Sequence, residues 1–145
     1  MVCVYCGGKT KVTNSRLQKR SNSVWRRRQC KACKSVFTSI EALDLSSTLV
    51  VDSGGSMRPF IADMLFTEVL LALQDRKNFY SDAREITSTV IAKLLKLPEK
   101  PVYKAETISK ITADILKRFD RRAWLRYVSE HPSLQAESRK LKASS

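Results

Sequence analysis

Two identical cysteine pairs constrain this chain more than any other feature. Cys3-x-x-Cys6 and Cys30-x-x-Cys33 are separated by 23 residues, and they hold all four cysteines of the sequence. Thiolates three residues apart on a turn point at one ion, and two such turns complete a tetrahedral Zn²⁺ site. Gly7-Gly8 follows the first pair, where a tight knuckle needs a permissive backbone. Disulfides require an oxidising compartment, and no export signal points to one. A redox motif accounts for one C-x-x-C but not for two. The expectation is therefore a single structural zinc bound by Cys3, Cys6, Cys30 and Cys33. Four sulfur ligands leave no open coordination position, so the site is not a catalytic one. A module of about 45 residues buries too little surface to fold alone, and the metal is expected to supply much of its folding energy.

Charge sets the first division of the chain. Of a formal net charge of +13, residues 1–48 carry ten basic side chains against two acids, Glu41 and Asp44. A face that is merely soluble mixes its signs. A first segment without an acid before Glu41 points to a polyanion, nucleic acid first and acidic lipid second. Between the knuckles, residues 9–13 and 24–29 read as strands around a polar connection at 18–23, and residues 35–39 read as a third strand. On such strands Arg26 and Arg28 share one face and Arg27 the other. Arg16, Lys19, Arg20, Lys31 and Lys34 lie near them in sequence, and arginine chelates a phosphate or a guanine edge with two parallel hydrogen bonds. Trp25 and Tyr5 are expected to pack under the ribbon or to lie against a sugar or base.

The boundary is expected near Ser46-Ser47. This divides the chain into a zinc ribbon at 1–46, a regulatory or oligomerisation domain at 47–131 and a polar, flexible tail at 132–145. The overall class is α+β. In the second domain, residues 47–52 read as a strand, Ser53-Gly54-Gly55-Ser56 as a turn and residues 57–60 as the returning strand. Helical periodicity follows over 61–76, with Pro59 just before it. A second helix is expected to be capped by Ser81 and stopped by Pro98, a short strand to form at 101–103, and further helices to begin near Thr107 and at Arg121. No apolar run approaches the ~18 residues of a membrane span, and the N-terminus lacks the form of a secretory signal. These features suggest a cytoplasmic, nucleoid-associated protein. His131 has no partner triad, and no Ser-His-Asp, paired-carboxylate or Walker pattern occurs, so the chain is not expected to be an enzyme.

Taken together, Cys3-x-x-Cys6, Asn14-Ser15-Arg16, Arg26-Arg27-Arg28-Gln29-Cys30-Lys31-Ala32-Cys33 and Phe37-Thr38-Ser39-Ile40-Glu41 resemble the NrdR-type bacterial repressors of ribonucleotide reductase genes. The second half resembles the ATP-cone of that family. Val50-Val51, Pro59-Phe60 and Leu65 fall on its V-V-K-R-D-G-x-x-E-P-F-x-x-x-K-L pattern, and Asp120 with residues 123–129 falls on its L-D-x-x-A-Y-V-R-F-A-S stretch. The resemblance covers residues 1–130. It implies a zinc-dependent repressor that senses ATP and dATP in the cone, changes oligomeric state, and binds double-stranded operator DNA. Arg16, Arg26, Arg27 and Arg28 are the implied DNA contacts, and Val50, Val51, Arg58 and Phe60 the implied nucleotide contacts.

The sequence departs from the pattern at the expected phosphate contacts. Asp52-Ser53 replaces Lys-Arg, Met64 replaces a lysine, and Arg58 stands where the family has glutamate. Trp25 replaces the first arginine of the basic run. Asp52 would repel a triphosphate. An alternative is therefore a DNA-binding ribbon whose cone serves assembly only. A non-specific nucleic-acid binder and an accessory subunit acting on the reductase itself are further readings.

Overall fold

The computed structural model describes residues 1–19 and 21–135. The chain divides into two compact units, Met1–Asp44 and the segment from Leu45 onward. No helix of the described residues is long and apolar enough to cross a membrane.

The first unit is a three-stranded antiparallel sheet, β1 (Thr10–Gln18), β2 (Ser23–Cys30) and β3 (Val36–Ala42), in the order β1-β2-β3. The first strand runs further than its hydrophobic pattern suggests, through Asn14-Ser15-Arg16 to Gln18. The reversal that follows is held by Gln18, Ser21 and Ser23. The Ser23 hydroxyl donates to Gln18 Oε1 at 3.1 Å and lies 2.7 Å from the Ser21 hydroxyl, while Asn22 takes the left-handed conformation at φ 47°, which asparagine tolerates. Pairing slips once. Val12 faces Arg28 but Asn14 faces Arg27, so Thr13 forms a bulge and its hydroxyl donates to the Arg27 carbonyl at 3.2 Å.

The second unit begins with a single helical turn, α1 (Leu45–Thr48), where a strand is expected from Ser47. The Leu49 amide closes that turn onto the Leu45 carbonyl at 2.9 Å, and only β4 (Val50–Asp52) is extended. β4 pairs antiparallel with β5 (Met57–Pro59) and parallel with β6 (Val102–Lys104), giving the order β5-β4-β6. Four helices follow the hairpin or flank β6: α2 (Ala62–Ala72), α3 (Phe79–Leu94), α4 (Ala105–Phe119) and α5 (Arg121–Ser129). Each packs on the next, and α5 closes back onto α2. Their shared core includes Leu65, Val69, Ile86, Val90, Leu94, Ile108, Leu116 and Tyr127, with Val51, Phe60 and Tyr103 from the sheet side.

Helix boundaries differ from the sequence reading for local reasons, and α3 ends at Leu94, short of the expected stop at Pro98, because the chain tightens into turns over Lys96 and Leu97. Helix α2 stops at Ala72 rather than Arg76, because the chain tightens over Leu73 and Gln74 and Arg76 turns aside to bind Asp82 and Asp120 at 2.8 Å each. Helix α3 starts at Phe79. Ser81 does not cap it, since its hydroxyl donates back to the Asn78 carbonyl at 3.0 Å. The expected polar tail from 132 begins as structure. Residues 132–135 form a helical turn, Leu134 is buried in the core, and Gln135 Nε2 donates to the Ser129 carbonyl at 2.6 Å. Only one apolar side chain marks that turn, so its sequence reads as polar. The rest of the expected tail, 136–145, lies outside the described residues, as does Arg20.

Candidate metal centre and nucleic-acid interface

The four thiols converge as the spacing predicts. All four sulfurs lie within 4.8 Å of one another, with Cys3 and Cys33 at 3.7 Å and Cys6 and Cys30 at 3.5 Å. Zn–S bonds of about 2.3 Å in a tetrahedron separate the sulfurs by roughly 3.8 Å. The donor set and its spacing therefore fit one Zn²⁺.

The two halves of the site are built alike. The Cys3 amide donates to the Gly8 carbonyl at 2.8 Å, and the Cys30 amide to the Ser35 carbonyl at 3.0 Å. The residue after each second cysteine is left-handed, Gly7 at φ 71° and Lys34 at φ 63°. The Lys31 amide ties the second knuckle to the Lys9 carbonyl at 2.9 Å. Gly8 sits tight against the site: a Cβ there would lie 3.3 Å from Cys30 Sγ and from the Ala32 Cβ, so those neighbours would have to give by a few tenths of an ångström. Cys33 is the readiest thiolate, its pKa lowered to about 6 by the Ser35 hydroxyl and amide. The Cys33 and Ala32 amides lower Cys30 in the same direction. Backbone N–H groups aimed at these two sulfurs favour the charged form that a metal needs, while at Cys6 the Gly8 amide is outweighed by the neighbouring Cys33 and Cys30 thiols, which push the pKa up to about 11.

The register of the sheet sorts the four candidate arginines into two pairs. Residues directly opposite on paired strands share a face. On one face Arg16, Trp25 and Ile40 form a cross-strand row, and Asn14, Arg27 and Thr38 form the next. On the other face lie Ser15, Arg26 and Ser39, then Val12, Arg28 and Phe37. Arg26 and Arg28 are committed within the sheet. Arg26 binds Glu41 at 3.0 Å, and Arg28 Nε donates to the Ser39 hydroxyl at 2.8 Å. Arg16 and Arg27 are exposed, and each side chain is without an ion pair among the described residues. Trp25 is half-buried between them and Ile40. Tyr5 stands exposed on the first knuckle.

Three of the four candidate nucleotide residues meet at one cleft of about 190 Å³ in the second unit. Val51, Arg58 and Phe60 line it together with Met64, Glu68, Ile108, Ser109 and His131. Val50 does not line it, and pairs instead with Pro59 and Val102. Arg58 Nη1 lies 3.5 Å from Met64 Sδ. Asp52, an unexpected acid at this hairpin, serves the backbone: its carboxylate accepts the Gly55 amide at 2.8 Å and closes the turn. Sequence reasoning missed Glu68 and His131. They sit 3.8 Å apart, and the Glu68 carboxylate raises the His131 pKa against the opposing effect of burial. Their separation of 63 positions left no local signal.

Comparison with known proteins decides the family. A profile described as "Transcriptional repressor NrdR-like, N-terminal domain" matches residues 1–41. A transcriptional repressor NrdR of Anaplasma phagocytophilum (strain HZ) is 34% identical over 130 residues, covering 89% of this chain and 84% of the relative. This chain belongs to the NrdR family of transcriptional repressors. A second NrdR, from Chromobacterium violaceum, is 32% identical over 136 residues, covering 93% of this chain and 89% of that protein. The four-cysteine unit is the NrdR zinc ribbon, and the chain is a zinc-ribbon regulator of transcription rather than an enzyme. In this NrdR protein the ribbon's cations are divided between a bonded face and an open one.

Proposed function

We propose that the protein represses transcription by docking the open face of its zinc-loaded ribbon on duplex DNA, with Cys3, Cys6, Cys30 and Cys33 as zinc ligands. The observation that carries this reading is the sorting of the arginines. Arg16 and Arg27 stand exposed on the face that also holds Trp25, whereas Arg26 and Arg28 are spent on Glu41 and Ser39. Free guanidinium groups beside an aromatic ring suit phosphates and base edges. Arg26 and Arg28 then act by holding the sheet. Alanine at Arg16 or Arg27 is expected to cost about 1–3 kcal/mol of DNA affinity with zinc content unchanged. Alanine at Arg26 or Arg28 is expected to lower ribbon stability first. Equal losses of affinity at all four positions, with no change in stability, would reject the division.

The second unit is read as an effector domain that binds ATP or dATP and alters the homo-oligomer that presents the ribbons. Each nucleotide would favour the assembly it binds best, and only some assemblies would space the ribbons to fit an operator. Arg58 supports this reading. It brings a guanidinium to within 3.5 Å of Met64, the position where the family pattern has lysine. The cation missing from α2 is thereby resupplied from β5. The alternative, a cone kept for assembly only, draws support from the small size of the cleft. About 190 Å³ falls below the roughly 300–1,000 Å³ of usual ligand pockets. Calorimetric titration of the zinc-loaded protein with ATP and dATP separates the two. Micromolar binding lost in Arg58→Ala supports sensing; no heat at millimolar nucleotide supports assembly alone.

A further inference from the structure

The second unit carries a cluster of cations that neither its own fold nor the ribbon accounts for. Lys117 and Arg118 occupy the last turn of α4, and Arg121 and Arg122 the first turn of α5. All four are exposed. The guanidinium groups of Arg118, Arg121 and Arg122 make no ion pair among the described residues. Lys117 rests its ammonium 5.2 Å from the centre of the Trp124 ring.

The ordinary explanation covers only half of the cluster. Cations in the last turn of a helix complement its negative end, so Lys117 and Arg118 need no partner. Arg121 and Arg122 lie at the positive end of α5, where the helix field opposes them, and no acid occupies that first turn. The one carboxylate between the two pairs, Asp120, is already committed. It accepts the Arg122 amide at 2.8 Å and the Ala123 amide at 3.1 Å, and it binds Arg76 at 2.8 Å. Arg76 also binds Asp82 and lies 4.7 Å from the centre of the Phe119 ring. The corner is therefore braced from beneath by Asp120, which leaves Arg121 and Arg122 without a counter-charge among the described residues.

We propose that the α4–α5 corner is a second nucleic-acid contact surface, in which Lys117, Arg118, Arg121 and Arg122 bind the phosphates of duplex DNA without reading sequence. The inference rests on the DNA-binding reading above. An external polyanion supplies the counter-charge that the fold withholds from Arg121 and Arg122. Membership of a transcriptional repressor family favours DNA over an acidic membrane or protein.

The test uses the full-length zinc-loaded protein and a mixed-sequence DNA duplex. Binding is measured between about 50 and 200 mM salt for the parent, for the double variant Arg121→Gln/Arg122→Gln, and for Arg27→Ala. Each phosphate contact contributes about −0.9 to the slope of log K against log salt. The double variant is expected to make that slope shallower by roughly 2 and to weaken binding at least about ten-fold, with unaltered zinc content and melting temperature. If the double variant keeps the parent's slope and affinity while Arg27→Ala loses both, the corner does not touch DNA and the ribbon reading survives. If the parent binds no duplex, both readings fall. If the double variant loses binding only to anionic phospholipid vesicles, the corner belongs to a membrane surface and the proposal is overturned.

Discussion

Lys34 occupies the left-handed position that Gly7 fills in the matching knuckle. A non-glycine residue in that conformation costs about 1–2 kcal/mol, because its Cβ crowds the following carbonyl. The second knuckle bears that cost, and the Lys34 ammonium offsets part of it by donating to the Lys31 carbonyl at 2.8 Å. Lys34→Gly is expected to stabilise the ribbon by about 0.5–1 kcal/mol after the entropy cost of glycine. Gly7→Ala is expected to destabilise it by about 1 kcal/mol. Thermal melts of the zinc-loaded protein check both, and a stabilised Gly7→Ala variant would contradict the strain argument. The same scale explains Asp52. Charge considerations alone cast it as a repulsive group at a phosphate site. Its bond to the Gly55 amide makes it the residue that shapes a turn whose two glycines are at φ 70° and 96°.

Among the elements, α5 is the most dependent on one side chain. Asp120 caps it through two backbone amides and simultaneously holds Arg76. Those amides, with Arg76 second, keep the Asp120 carboxyl below its ordinary value of 3.8. A depressed acid contributes stability above its unfolded pKa and loses it as pH falls through the folded value. Asp120→Ala is expected to cost about 1–2 kcal/mol at neutral pH, and the cost should shrink on acidification below pH 3.8. Denaturant melts at neutral and acidic pH measure this directly. A second element, β6, is fastened by Tyr103, whose buried hydroxyl donates to the Leu94 carbonyl at 2.8 Å. That carbonyl closes the last turn of α3, where it also accepts the Leu97 amide at 3.0 Å. Tyr103→Phe removes one of the two bonds to it and is expected to cost about 0.5–1.5 kcal/mol, read as a lower denaturant midpoint with an unchanged slope.

At the scale of the whole molecule, the two units draw on different sources of stability. The ribbon buries few apolar side chains beyond Cys3 and Cys30, and its Val12, Leu17 and Ile40 stay exposed. The second unit has an extensive core. Chelation of zinc is therefore expected to unfold residues 1–44 and to leave the helical unit intact. The far-ultraviolet helical signal should persist while amide protection over β1–β3 disappears. Loss of helix on chelation would refute this separation. The His131–Glu68 pair adds a pH dependence to the second unit. Because Glu68 raises the folded-state pKa of His131 above 6.5, its stabilisation is fully present below pH 6.5 and is lost as pH rises through the folded value. Glu68 is largely exposed, so solvent screening limits the effect to about 0.5 kcal/mol. Glu68→Gln should flatten the stability profile above pH 6.5; an unchanged profile would remove the pair as its source.

The sequence by itself determined the four-cysteine cluster, the order of most elements and the family. Those rest on local spacing: two C-x-x-C turns, a Gly-Gly hairpin, and apolar residues at helical intervals. Tertiary structure decided which cations are available. Strand alternation alone assigns Val12, Asn14 and Arg16 to one face. The Thr13 bulge breaks that parity, so Val12 joins Arg28 while Arg16 joins Trp25 on the face of Arg27. Glu41 and Ser39 then withdraw Arg26 and Arg28, and Asp120 is withdrawn from the α4–α5 corner by Arg76, 44 residues earlier in the chain. Cysteine spacing encodes a site within a few residues, but the commitment of a charge depends on partners that only folding brings within hydrogen-bonding distance.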